Sequence, residues 1–192
     1  VGGGFIGLEM AENLHAAGAK VSVVEMAPQV MAPMDFSMAQ IVHEHLVTKG
    51  VELHLGEGVV AFESNNDRID VVLSSQKSIA ADIVILSIGV RPTTTLAKDA
   101  GIALGEVGGI RVDNFMQTTA EGVYAVGDAV EFEHPLLNKP WLNLLAGPAN
   151  RQARIAADNM VFGNHTEYEG SIGTAIAKVF DITVASTGVP AK

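Results

Sequence analysis

Gly2-Gly3-Gly4-Phe5-Ile6-Gly7 stands at the head of the chain, and its reading decides the fold. Gly2, Gly4 and Gly7 fall at the spacing G-x-G-x-x-G. In that pattern the first glycine allows a tight turn, the second lets backbone N–H groups approach a pyrophosphate, and the third lets helix and strand pack closely. Ile6, Leu8, Met10, Ala11 and Leu14 follow at roughly helical spacing, with Gly18 placed to end the helix. Lys20-Val21-Ser22-Val23-Val24-Glu25 then has the composition of a buried parallel strand. Glu25 lies 18 residues beyond Gly7, at the end of that strand, where a carboxylate can accept both ribose hydroxyls of an adenosine. Glycine loop, helix, strand and terminal acid together are far more specific than the glycines alone. They predict a dinucleotide site whose pyrophosphate meets unpaired N–H groups and the positive dipole end of the helix.

The same stretch bears on which dinucleotide. A 2′-phosphate would sit against Glu25 and require an Arg or Lys beside it, yet residues 26–48 carry neither. NAD(H) is therefore favoured over NADP(H). A loop of this kind should also follow a strand, and only Val1 precedes Gly2, so the chain has the character of a piece of something longer.

Outward from the loop, Asp35-Phe36-Ser37 can cap a second helix whose apolar members Met38, Ile41, Val42, Leu46 and Val47 recur until Gly50. Val51 to Leu55 is a second short strand, and the alternation of helix and strand predicts right-handed crossovers onto a parallel sheet. Residues 58–63, 68–73 and 77–80 are expected as an antiparallel meander, with Asn65-Asn66-Asp67 at a turn. Residues 82–89 predict a buried strand, residues 93–100 a short helix and residues 122–128 a further strand ending in glycine. Residues 148–162 predict a helix with Ile155, Ala156, Met160 and Val161 on its buried side. Residues 175–180 and 183–185 suggest a hairpin that opens a third unit.

Composition narrows the function classes. Twelve basic against 22 acidic residues give a net charge of −10, and aromatic residues make up 5%. No basic cluster exists to neutralise a phosphate backbone, so nucleic acid is not an expected partner. No apolar run approaches the roughly 18–20 residues that span a bilayer, and no basic-then-apolar leader opens the sequence, so a soluble cytoplasmic protein is expected, with no membrane partner. Zero cysteines exclude a disulfide framework, a Cys-ligated metal or cluster, and thiol redox chemistry within this chain.

Four ordered motifs now carry a resemblance: residues 2–9, Ser87-Ile88-Gly89-Val90-Arg91-Pro92, Tyr124-Ala125-Val126-Gly127-Asp128, and Leu145-Ala146-Gly147-Pro148-Ala149-Asn150-Arg151-Gln152. Together they resemble the flavin-dependent pyridine nucleotide–disulfide oxidoreductases, most closely the branch of coenzyme A disulfide reductases, NADH oxidases and persulfide reductases. The resemblance implies a Rossmann-like α/β fold for FAD and NAD(P), a parallel sheet with helices plus the meander, in truncated form. It divides the chain into an NAD(P)-binding domain over 1–112, the C-terminal half of an FAD-binding domain over 113–168, and the start of an interface domain over 169–192. Phe5 matches the aromatic that shields the flavin until nicotinamide displaces it, and Glu9 the acid that binds the carboxamide. Gly89 matches the turn at the dinucleotide site. Gly127 and Asp128 match the turn that holds the ribityl chain of FAD, and Leu145 and Ala146 the backbone contacts to the isoalloxazine ring. With Gly2, Gly3, Gly4, Ile6, Gly7 and Glu25 these are the candidate cofactor-binding residues.

The family reaction passes hydride from NADH to FAD and on, through a cysteine, to a small-molecule disulfide, coenzyme A disulfide or persulfide. The first FAD glycine loop and that cysteine lie upstream of the NAD domain in the family and are absent here, so no catalytic residue is assigned to this chain. The resemblance implies a homodimeric parent; alternatives are a stand-alone NAD-binding module and an NADH oxidase that reduces oxygen. Of the remaining residues, His43 and His45 are expected on a solvated helix face and not as metal ligands, since residues two apart point to different faces. Lys178 and Arg91 are expected to be solvated, and Met26, Met31, Met34 and Met38 to fill core or loop.

Overall fold

Helix α1 (Phe5–Ala16) begins directly after the glycines, with Gly4 as its N-cap in extended conformation, and it buries Leu8 and Ala11. Strand β1 (Ser22–Glu25) follows, then α2 (Phe36–Thr48) and β2 (Glu52–Leu55). β1 and β2 pair in parallel with Val24 opposite His54, as the alternation of helix and strand requires. Gly18 and Gly50, both at positive φ, stop the chain just beyond the two helices. The computed structural model describes residues 1–189, whose chain divides into two compact units, one of residues 1–89 with the segment from 176 onward, the other of residues 90–175.

In the first unit β1 is covered on both faces, which is why its sequence is continuously apolar. Val23 packs with Leu8, Val30, Val42 and Leu46 under the two helices. Val24 packs with Val71 and Leu73 of the antiparallel meander β3 (Val59–Asn65), β4 (Arg68–Leu73) and β5 (Ser78–Ala81). Met31 and Met34 are buried in the core, whereas Met26 and Met38 are exposed.

Residues 82–89 depart from the sequence reading. They form no strand, and Ile83 and Ile88 are 77% and 73% exposed. A strand is a ladder, and this segment is joined alongside Val1 by two bonds: the Val1 amine donates to the Ile85 carbonyl at 2.7 Å, and Ser87 N–H to the Val1 carbonyl at 2.8 Å.

The second unit contains α3 (Thr95–Asp99), a small sheet of β6 (Ile110–Arg111), β7 (Val130–Glu133) and β8 (Pro140–Leu142), and α4 (Ala146–Phe162). β7 pairs in parallel with β6 and antiparallel with β8. The sequence reading missed all three strands, because β6 is two residues long and Glu131 breaks the apolar character of β7. That glutamate is buried for a local reason: its carboxylate accepts N–H bonds from Glu106 at 2.8 Å and Val107 at 2.9 Å, closing the loop before β6. Residues 122–128, expected as a strand, hold a single bridge between Gln117 and Tyr124. Gly122 and Gly127, at φ of 72° and 87°, turn the backbone out of the ladder at either end.

The buried face of α4 keeps Ile155 and Ala156 of the four residues expected there and is shifted at the other two. Gln152, Ile155, Ala156 and Asn159 are buried, while Met160 and Val161 are 57% and 72% exposed. The buried positions follow the i, i+3, i+4, i+7 rule, and the two amides are tolerated because they are bonded. Asn159 Nδ2 donates to the carbonyls of Phe115 and Thr166, and its Oδ1 accepts from the N–H groups of His165 and Thr166.

The hairpin of β9 (Ala175–Val179) and β10 (Ile182–Ser186) buries Ala177, Val179, Phe180 and Val184 in the core of the first unit. Phe180 packs edge-on against His15 and His45, its N–H donates to Glu12, and Lys178, exposed as expected, also pairs with Glu12 at 3.0 Å. Asp181 pairs with Lys49. No helix among the described residues is long and apolar enough to cross a membrane.

Candidate functional site

Two groups of the expected site residues are assembled, one in each unit. In the first, Gly2 N–H donates to the Val24 carbonyl at 2.8 Å, hooking the glycine loop to the end of β1. The glycines divide their work as the spacing implied. A Cβ on Gly2, whose φ is +103°, would fall 2.3 Å from the Ser87 carbonyl oxygen, and one on Gly7 would fall 2.0 Å from the Gly2 carbonyl oxygen. Neither contact is tolerable, so Gly2 is fixed by the turn and Gly7 by close packing. A Cβ on Gly4 would meet nothing within 4 Å. Crowding within the fold does not demand glycine there.

Glu25 completes this cradle. Its Oε2 accepts the Gly3 N–H at 2.6 Å and its Oε1 the Ala27 N–H at 2.7 Å, short distances of the charge-assisted kind. Each carboxylate oxygen retains a further lone-pair site, so the acid can hold the loop and still accept hydroxyls. The first turn of α1 contains no acidic residue, and its early N–H groups have no intrahelical acceptor. Glu9 and Ile6 are exposed, and Phe5 is partly buried against the core. Gly89, at φ of +101°, is exposed at the end of the irregular segment.

His43 supports this cradle where the sequence reading had put it in water. It is 7% exposed, and its Nε2 accepts the Val30 N–H at 3.1 Å, which fixes the neutral tautomer protonated on Nδ1. Val30 in turn occupies the space a Gly3 Cβ would need, at 2.8 Å, and Met31 N–H donates to the Gly3 carbonyl at 2.8 Å. Burial lowers the His43 pKa. The signal was available: Ala39, Val42, His43 and Leu46 share one helix face. Among the described residues no three His, Cys, Asp or Glu side chains gather to hold a metal ion.

In the second unit, Gly127 takes φ of +87° and its N–H donates to Gln152 Oε1 at 2.8 Å. Asp128 follows in the turn, exposed, before the chain enters β7. Leu145, extended, is the N-cap of α4, and Ala146 is its first residue, with no acidic residue in the first turn. Gly127 lies over the early part of α4, where an added Cβ would stand 3.9 Å from the Ala149 Cβ. Gly127, Asp128, Leu145 and Ala146 are thus brought to one end of this unit. The turn's free carboxylate and the helix N-terminus fit a polyhydroxylated chain attached to a ring that gathers negative charge on reduction. Gln152 was not foreseen as part of this group.

Comparison with known proteins bears on the whole arrangement. The family model for pyridine nucleotide-disulphide oxidoreductases matches residues 1–156. The NAD(P)H sulfur oxidoreductase (CoA-dependent) of Pyrococcus abyssi is 35% identical over 190 residues, 98% of this chain and 42% of that protein. The structure of reduced Bacillus anthracis CoADR-RHD is 47% identical with a TM-score of 0.93, covering 98% of this chain and 33% of that one. An FAD-dependent pyridine nucleotide-disulphide oxidoreductase from Desulfovibrio vulgaris is 36% identical with a TM-score of 0.90, over 98% of this chain and 48% of that one. The chain spans 42% of the length of the curated relatives it matches. With a family model covering most of its length, the chain belongs to the pyridine nucleotide-disulphide oxidoreductase family.

Proposed function

We propose that this chain is the pyridine-nucleotide and partial flavin portion of an oxidoreductase that takes hydride from NADH and delivers electrons to a small-molecule disulfide, coenzyme A disulfide or persulfide. The observation that carries this is the Glu25 carboxylate, bonded at once to Gly3 and Ala27 beside the open Cα of Gly4. Support for the acceptor class comes from relatives named for sulfur and coenzyme A chemistry. The relative named NADH oxidase keeps oxygen as the alternative acceptor.

In this account Gly4 and Ile6, at the start of α1, present backbone N–H groups to the NADH pyrophosphate, Gly2 and Gly7 shape the loop, Gly3 ties it to Glu25, and Glu25 receives the adenosine ribose. Phe5 and Glu9 stand at the nicotinamide, Phe5 covering the flavin until displaced and Glu9 binding the carboxamide, with Gly89 lining the same end. Asp128 holds the ribityl hydroxyls, and Leu145 and Ala146 offer backbone N–H groups to the ring edge. Bound FAD would supply the hydride acceptor between NADH and the sulfur substrate. The domain division at residues 112 and 168, a homodimeric whole protein, a cytoplasmic location and the lack of a nucleic-acid partner belong to the same proposal.

Cofactor choice tests it. Glu25 would repel a 2′-phosphate, and Met26, 79% exposed, offers it no charge. Titration of the purified chain with each nucleotide should give saturable NADH binding, with NADPH weaker by about tenfold or more. Equal or tighter binding of NADPH would overturn the assignment of Glu25.

A further inference from the structure

The Gln152 side chain joins the two halves of the proposed flavin site. It is 1% exposed, seven positions beyond the N-cap Leu145, on the face of α4 that also buries Ile155 and Ala156. A long amide in that position loses its hydration on folding and must find a partner. Its Oε1 accepts the Gly127 N–H at 2.8 Å. The backbone N–H is a donor only, so the amide must turn its oxygen to that side.

On its other side the Gly127 carbonyl accepts the Val130 N–H at 3.1 Å, tying the turn to β7. Gly127 is therefore held between β7 and α4, and Asp128 projects from a turn that cannot rotate without breaking one of the two bonds. The Tyr168 hydroxyl lies buried beside this amide. Its ring packs edge-on against Phe132 of β7 at 5.5 Å, which walls the amide in.

We propose that Gln152 is a positioning residue of the flavin site, setting where the Asp128 carboxylate stands relative to the first turn of α4. The inference rests on the assignment of Gly127, Asp128, Leu145 and Ala146 to FAD made above. Gln152 touches no reacting atom; it acts through the Gly127 amide.

FAD titration of the full-length protein that carries this chain, followed by flavin fluorescence, tests it in wild type, Gln152→Met and Gln152→Glu, with the exchange rate of the Gly127 amide measured by hydrogen exchange. Met keeps length and loses the acceptor; Glu keeps an oxygen at the same position. The wild type should bind FAD saturably. Gln152→Met should bind it about tenfold more weakly, with Gly127 exchange faster by about the same factor, and Gln152→Glu should recover most of the affinity. NADH affinity, read on the glycine loop, should stay within about twofold and so separates local misplacement from unfolding. If Gln152→Met fails to fold, Gln152→Asn, whose oxygen is withdrawn by one methylene, must show the same loss beside an active Gln152→Glu. Wild-type affinity in the Met or Asn variant, or lost affinity with unchanged Gly127 exchange, would overturn the positioning role alone. Failure of the wild type to bind FAD while it binds NADH would overturn the flavin assignment itself.

Discussion

At the scale of single residues, Glu25 and Gly7 are held by different forces, and their substitution should separate recognition from packing. Glu25→Ala leaves the Gly3 and Ala27 N–H groups without acceptors, a loss of about 1–3 kcal/mol of stability, and removes the proposed ribose contact as well. Both the unfolding midpoint and NADH affinity should fall, and a variant with unchanged NADH affinity would remove the acid from the site. Gly7→Ala gains roughly 1 kcal/mol of helix propensity. It also places a methyl 2.0 Å from a backbone oxygen, an overpacking penalty at the upper end of about 1–3 kcal/mol, so a net loss of about 2 kcal/mol is expected in a denaturant titration. These residues were legible in the sequence because their demands are local: a turn, a close contact, an acid at a strand end. His43 and Gln152 were not, since a polar residue on a helix reads as solvated until its partner is known, and Val30 and Gly127 lie 13 and 25 positions away.

At the scale of elements, α2 carries a pH dependence. Burial lowers the folded-state pKa of His43 from its ordinary 6.5, so above that value both folded and unfolded states are neutral and the ring contributes nothing to the slope. As pH falls through about 6.5 the unfolded chain takes up a proton that the folded chain resists, and stability declines. His43→Gln, whose amide oxygen can still accept from Val30, should lose less stability between about pH 7.5 and 5.5 than wild type does. Equal slopes in urea titrations at the two pH values would contradict this. α4 makes a second case: Asn159→Ala deletes bonds to Phe115, His165 and Thr166 and leaves buried groups unpaired, so a loss of about 2–3 kcal/mol is expected in the same assay. Helix positions followed from periodicity, but the buried face of α4 did so only in part, because two of its four members are amides. Residues 82–89 and 122–128 have strand-like composition, yet composition cannot supply the neighbour that a ladder needs, and here one finds only Val1 and the other a single bridge.

At the scale of the whole molecule, residues distant in sequence complete the first unit. The hairpin of β9 and β10 seals the core over α1 and α2, with Val179 fully buried and Phe180 at 8% exposure. Phe180→Ala should therefore destabilise the nucleotide-binding unit by about 3–5 kcal/mol, measured as an earlier loss of NADH-protected structure on heating. The sequence suggested this hairpin as the opening of a third unit; its packing against helices more than a hundred residues earlier is a tertiary fact that local pattern cannot carry. The central claim is that the glycine loop is a ligand cradle and not merely a turn, and NADH titration of wild type beside Gly4→Ala tests it most directly. Gly4 has φ of −78° and open space around its Cα, so alanine should cost only the roughly 0.5–1 kcal/mol of a replaced glycine N-cap while NADH affinity falls by about tenfold or more. Equal NADH affinity in the two proteins, or no saturable binding by the wild type, would contradict the account.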